Sequence, residues 1–356
     1  MDFTKAFDKV SHERLLYKLD KIGITGNILR WIESFLCNRQ QRTKVGQSYS
    51  NWAKVTSGVP QGSVIGPRLF LVYINDLPSL IHSFSKVFAD DTKFYGPVRT
   101  PEERNALQKD LNRAMAWAEE WKMEFHPQKC HILHFGNKNQ KFQYTLGDNV
   151  IAPVSEEKDL GVTISQDLKW NKHISDIVAK ANRMVGLVKH TFSYIDKEMF
   201  ITVYKALIRP LLEYNPQIWN PHYSKDVTAL EKVQRRATKM VPELSDMSYD
   251  ERLRILKLYP LKDRRLRGDM ITTYKILNNM INVPKDKICP MSMSRTSTRR
   301  HGLQIDRRMC KTDVRKYFYT QRIAEPWNKL SSNIVYSPTV ESFKANYDKG
   351  MLGDYN

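Results

Sequence analysis

Leu15, Leu16 and Leu19 in SHERLLYKLDKIGI share one face at helical spacing, so the pattern predicts a helix that Gly23 stops. NILRWIESFL repeats the apolar period and predicts a second helix. Residues 42–56 read as short strands in a hairpin that turns between Gly46 and Asn51. SGVPQGSVIGP holds three glycines and two prolines in eleven residues. It predicts a loop that enters a helix, RLFLVYINDLP, ending near Pro78. KVFADDTKFYG predicts two short strands meeting at Asp90 and Asp91. TPEERNALQKDLNRAMAWAEEW predicts the clearest helix, with Thr100 as cap, Pro101 in the first turn and Glu103 completing a capping box. Its apolar stripe is Leu107, Leu111, Ala114, Ala118 and Trp121. Residues 123–164 predict three or four short strands, with a turn at LGD, 146–148.

Beyond about residue 166 the pattern turns almost wholly helical. Ile174, Ile177, Val178, Ala181, Val185 and Val188 form one stripe. A second helix is predicted over 196–213 with Asp196 as its cap, and a third from Ser224 to Met240. Pro242 predicts a boundary, after which basic helices mix with loops such as SMSRTSTRRHG. No tandem repeat is present.

Charge changes this picture. Across 356 residues the net charge is +19, which favours a polyanionic partner, most simply nucleic acid. The surplus is uneven: 22 basic against 18 acidic residues through position 160, then 35 against 20. A catalytic unit followed by a polyanion-binding unit is the organisation this suggests. Arg235, Arg236, Arg264, Arg265 and Arg267 are the candidate backbone contacts. The four cysteines form no C-x-x-C pair, and such sparse use suits a reducing, intracellular compartment. Cys130, His131 and His134 look like metal ligands, but KCHILHF alternates and reads better as a strand. No apolar run is long enough to span a membrane.

Adjacent carboxylates at a strand turn repel one another. A divalent cation with oxygen ligands removes that cost. DFTKAFDKV supplies further acids, Asp2 and Asp8. If that segment lies beside the Asp90–Asp91 turn, Asp2 reaches the same ions, and two metals held by carboxylates suit in-line phosphoryl transfer. Asp8 is better placed to cap the helix that follows.

DFTKAFDKV, SGVPQGSVIGP, FADD, HPQKC and DLGVTI occur in that order at suitable spacings. Together they resemble the palm motifs of the reverse transcriptase of a jockey-like non-LTR retrotransposon. LIRPLLEYNPQIWNP, LEKVQRRATK and PWNKLSSNIV resemble the C-terminal region of the same elements. The resemblance implies an α+β right-hand polymerase: a palm with antiparallel sheet over 1–166, a helical thumb over 167–242 and a basic helical region over 243–356. It implies Mg2+ as cofactor, deoxynucleotides as substrate, an RNA template and a DNA primer as partners, and the nucleus as location. Asp2, Asp90 and Asp91 match the catalytic metal ligands, with the carbonyl of Phe3 as a further ligand. Phe7 matches the aromatic residue under the nucleotide sugar that excludes a 2′-hydroxyl. Pro60, Gln61 and Gly62 match the loop against the incoming nucleotide. Lys129 matches a lysine that neutralises or protonates the leaving pyrophosphate, and Leu160 and Gly161 match the turn that grips the primer end. In this family a fingers region with triphosphate-binding residues precedes the first aspartate, whereas here Asp2 follows Met1. The expectation is an N-terminally truncated copy with poor polymerase activity; the alternative is a non-catalytic nucleic-acid-binding remnant.

Overall fold

The computed structural model describes residues 1–292 and 301–352, and the chain divides into two compact units, Met1–Glu157 and Lys158–Asn356. Of SMSRTSTRRHG, residues 293–300 lie outside the described residues.

The first unit is built around an extended segment at Met1–Thr4. On one edge, the Met1 nitrogen donates to the Thr92 carbonyl at 2.7 Å and Thr92 N–H returns a bond to the Met1 carbonyl at 3.2 Å. On the other edge, Thr4 N–H donates to Glu124 and His126 N–H to Asp2, around an antiparallel bridge between Phe3 and Phe125. Side chains alternate across such a segment. Phe3 therefore enters the core, stacked on Phe125 at 4.3 Å, while Asp2 emerges on the opposite face.

Three helices and a ribbon follow: α1 (Ala6–Lys9), α2 (His12–Lys21), α3 (Gly26–Leu36), then β1 (Gln40–Gln41), β2 (Lys44–Val45), β3 (Ser48–Tyr49) and β4 (Ala53–Lys54). β2 pairs with β3 and β1 with β4, so the expected hairpin exists and turns at Gly46–Gln47. The next helix, α4 (Gly66–Ile74), stops four residues before Pro78, which instead lies in the first turn of α5 (Leu77–Leu80). β5 (Phe84–Phe88) and β6 (Asp91–Tyr95) form the hairpin that carries the acid pair.

α6 (Pro101–Glu120) has the expected capping box. Its buried stripe differs in part: Trp117 is buried where Leu107 and Trp121 are only half-covered, and Asp110 is fully buried among apolar neighbours. Asp110 is there because it anchors the start of β5. Its carboxylate accepts from the N–H groups of His82 (3.0 Å) and Ser83 (2.7 Å) and from Arg113 (2.6 Å). Burial alone would raise this carboxyl, but the bonds from Ser83, His82 and Arg113 outweigh it and hold it below the usual carboxylate range. KCHILHF does contain a strand, β7 (His131–Leu133), and His131 pairs with Glu157 at 2.7 Å.

In the second unit α7 (Asn171–Thr191) buries Ile174, Ala181, Val185 and Val188, with Ile177 and Val178 half-covered. The expected helix over 196–213 is one helical run broken by a π turn at Tyr204–Ile208, just before Pro210, and Asp196 caps it by accepting from Met199 N–H. The third expected helix is α8 (Ser224–Ala237), prolonged by a 3-10 turn to Met240. Val241, Leu244 and Leu253 share a core with Ile174 and Val185. Packing therefore runs through Pro242 without interruption, because Pro242 opens a 3-10 turn, not a linker. The core changes later, along the helix α9 (Leu261–Leu277): Leu261 belongs to the first core, Met270 and Tyr274 to a second that extends to Tyr347. Nor does a unit end at 166, since Val162 already packs in the second unit. Among the described residues no helix is long and apolar enough to cross a membrane.

Asp110→Ala leaves two backbone donors and Arg113 without their acceptor, so urea titration should show a loss of about 2–4 kcal/mol. A carboxyl lowered in the fold stabilises above its unfolded-state pKa and loses that contribution as pH falls through its folded-state pKa. Asp110→Asn should therefore show a shallower fall in stability with acid than the parent protein.

Candidate active site

Asp90 and Asp91 sit at the tip of the β5–β6 hairpin, where Phe88 pairs with Asp91 and the loop is only Ala89–Asp90. Such a two-residue loop usually places glycine where φ is positive. Here Ala89 takes φ 51°, a strain on the order of 1 kcal/mol that the paired strands hold in place. The mutual bonds between Met1 and Thr92 fix the neighbouring register. Continuing it by one residue sets Asp2 opposite Asp91 on the same face. The backbone of Phe3 then points to the hairpin edge, and its carbonyl takes no hydrogen bond from a described residue. Burial, followed by the charges of Asp90 and Asp2, raises the Asp91 carboxyl above its ordinary value.

Lys129 lies 3.7 Å from the Asp2 carboxylate, so these two expected site residues meet. Behind them is Cys130, fully buried, whose sulfur accepts from Asp2 N–H at 3.4 Å. This supporting thiol was not singled out for the site, although its place directly after Lys129 in HPQKC was a signal. Phe7 lies in α1 and stacks on Phe70 at 4.3 Å. Asp8 does not cap α2. Its Oδ1 accepts from Gln61 Nε2 at 3.0 Å, tying the 60–62 loop to the acid-bearing segment. The same loop is clasped by Gly58 N–H to Val10 and Val59 N–H to Phe7, at 2.8 and 2.9 Å. Gly58 is required there: φ is +89°, and a Cβ would lie 2.8 Å from the Asp8 Cα. Pro60 is half-buried, whereas Gln61 and Gly62 are exposed.

Residues 1–164 match the reverse transcriptase (RNA-dependent DNA polymerase) family. They form a reverse transcriptase domain. The chain is similar to the RNA-directed DNA polymerase from mobile element jockey of Drosophila melanogaster, at 28% identity over 235 residues, 62% of this chain and 25% of that protein. It is also similar to the probable RNA-directed DNA polymerase from transposon X-element of the same fly, at 26% over 253 residues, 68% and 28% of the two chains. A Drosophila funebris jockey polymerase aligns at 26% over 274 residues, 71% and 29%. The chain thus spans between 25% and 29% of these relatives' length. It is thus homologous to RNA-directed DNA polymerases of mobile elements.

In the second unit, Leu160 and Gly161 form a turn with φ 44° and 85°. Tyr214, missed in the sequence, covers it: its hydroxyl donates to the Leu160 carbonyl at 3.0 Å, and its ring leaves no slack above Gly161. Three of the expected phosphate-binding arginines are committed elsewhere. Arg264 grips Glu213 with both arms of its guanidinium, and Arg267 grips Asp348 at 2.5 and 2.7 Å. Arg265 is 2% exposed and donates through Nε to Asn220 at 2.9 Å. Arg322 and Arg252 are similarly enclosed, on Asp269 and on Thr238. Part of the basic surplus is therefore scaffold. Arg235 and Arg236 are exposed, the first over the Tyr249 ring and the second donating to Asn182.

Arg264→Ala should destabilise the protein by about 1–3 kcal/mol in denaturant titration, because the half-buried Glu213 loses both guanidinium hydrogen bonds and keeps only Arg209, at 3.7 Å. Arg235→Ala with Arg236→Ala should leave stability within about 0.5 kcal/mol. A second expectation concerns Asp91. A carboxyl raised in the fold favours the folded state at low pH, and that contribution is lost as pH rises through its folded-state pKa. Asp91→Asn should raise the melting temperature at neutral pH without divalent ions, and should weaken the further rise that added MgCl2 gives the parent.

Proposed function

We propose that the chain is the polymerase part of a non-LTR retrotransposon acting in the nucleus, its site built for two-metal nucleotidyl transfer from deoxynucleotides to a primer on an RNA template. The Met1–Thr92 pair supports this reading, because it sets Asp2 beside Asp91, whose carboxyl feels the charges of Asp90 and Asp2. The donor set fits Mg2+: Asp2, Asp90, Asp91 and the Phe3 carbonyl are all oxygen donors, and the raised Asp91 carboxyl marks charge that a cation would neutralise. Among the described residues no three His, Cys, Asp or Glu side chains form a ready metal cage.

Bound there, Mg2+ supplies charge neutralisation and activation of the primer hydroxyl. The chain's own residues do the positioning. Asp2, Asp90 and Asp91, with the Phe3 carbonyl, would hold the ions. Lys129, drawn to Asp2, would offset charge on the departing pyrophosphate. Phe7, braced by Phe70, would underlie the sugar, and a brace of that kind is what excludes a 2′-hydroxyl. Gln61 and Gly62, held by Asp8 and the Gly58 clasp, would form the wall beside the incoming base pair, with Pro60 fixing its start. Leu160 and Gly161 would meet the primer end under Tyr214.

The test is primer extension on an RNA template with MgCl2 and four deoxynucleotides. Asp2→Ala and Asp90→Ala should each lower the rate at least about a hundredfold. Phe7→Ala should raise ribonucleotide incorporation relative to deoxynucleotide. Unchanged extension in both aspartate variants would overturn the site.

A further inference from the structure

The β1–β4 ribbon has a composition and a geometry that the polymerase reading does not use. All residues from Gln40 to Lys54 are exposed, so the ribbon contributes nothing to the core. No acidic residue occurs between Glu33 and Asp76, while Arg39, Arg42, Lys44 and Lys54 lie in or beside the ribbon. Arg39 is spent on the Leu36 and Gly58 carbonyls. The other three meet no carboxylate among the described residues.

Tyr49 and Trp52, three residues apart, should point to opposite faces of a regular strand. They do not. The pairing is Lys44 with Tyr49 and Val45 with Ser48 at the tip, but Gln41 with Ala53 and Gln40 with Lys54 at the base. The second arm therefore holds one more residue than the first, a β-bulge around Asn51–Trp52. The bulge reverses the alternation and brings both rings to Arg42, whose guanidinium lies 4.1 Å from the Tyr49 ring and 4.6 Å from the Trp52 ring. Lys44 lies 5.2 Å from Tyr49 on the same cluster. Tyr49 and Trp52 remain 51% and 59% exposed.

We propose that this ribbon is a stacking platform for single-stranded nucleic acid. Two aromatic rings held by a cation, on an arm without negative charge, offer π faces for bases and cations for phosphates. A duplex presents phosphates to such an arm but keeps its bases stacked inside, so the rings select the single strand. An isolated two-stranded ribbon is marginal in water; this one is tied at its base by Arg39, which bonds the Leu36 and Gly58 carbonyls.

The experiment measures fluorescence anisotropy of a labelled oligo(U) RNA and of an RNA duplex of equal length. No divalent metal or deoxynucleotide is added, so a negative result leaves the polymerase reading standing, and an inactive polymerase leaves this one standing. The Tyr49→Ala, Trp52→Ala double variant should bind oligo(U) about tenfold or more weakly, with duplex affinity nearly unchanged. Trp52→Phe should restore most of the loss. Lys44→Gln with Lys54→Gln should instead reduce the salt dependence, by roughly 0.7 of a unit in log–log slope for each phosphate that is no longer neutralised. Because neither ring enters the core, the melting temperature should not move. Parent-like oligo(U) binding by the double variant would overturn the proposal. So would equal losses for single strand and duplex, which would assign the ribbon to phosphate binding alone.

Discussion

An extended segment of four residues, hydrogen-bonded along both edges, sets every distance at the acid cluster. Met1 meets Thr92 on one side and Asp2–Thr4 meet Glu124–His126 on the other. Strand alternation then does the sorting: Phe3 goes to the core between Phe125 and Trp117, and Asp2 to the face of Asp91. The repulsion this creates is deliberate in the physical sense. Burial and the charges of Asp90 and Asp2 raise the Asp91 carboxyl, a cost that a cation would relieve. Asp110 and Asp91 illustrate the two outcomes for a carboxylate. One is lowered by hydrogen bonds that outweigh burial; the other is raised by burial and like charge.

Much of this was legible in the sequence because it depends on local signals. The capping box at Thr100–Glu103, the Asp196 cap, the turn at Gly147–Asp148 and the acid pair between two short strands are all written within a few residues. The adjacency of Asp2 and the acid pair was inferred from chemistry and follows from long-range pairing. What was not legible depends on partners far along the chain. Asp8 looks like a helix cap from its neighbours, but Gln61, fifty-three positions away, claims it. Trp117 replaces Trp121 in the buried stripe because Phe3 packs against it.

The arginines show the same limit more sharply. Their place in a basic segment offers Arg264 and Arg267 to a polyanion, yet Glu213 and Asp348 already hold them. Buried or half-buried ion pairs are poor evidence for stability gained, but breaking one leaves a stranded charge. Each such pair cancels within the net charge, so the surplus of the second unit lies on other residues, the exposed Arg235 and Arg236 among them. Pro242 misleads for a related reason: proline marks a turn with certainty, but whether a core continues past it is decided by Val241, Leu244 and Leu253 on either side.

The clasp at Gly58 and Val59 has a further consequence for how the domain tolerates change. Val10 and Phe7 grip both residues, so the ribbon rejoins the domain at a fixed root. A chain excursion fixed at its root can lengthen at its far end at little thermodynamic expense, about 0.6 kcal/mol for each doubling of loop length. The tip at Gly46–Gln47 is thus a natural place for extra sequence: residues inserted there would hang from an arm whose root is fixed, and the acids beyond it would not register their presence.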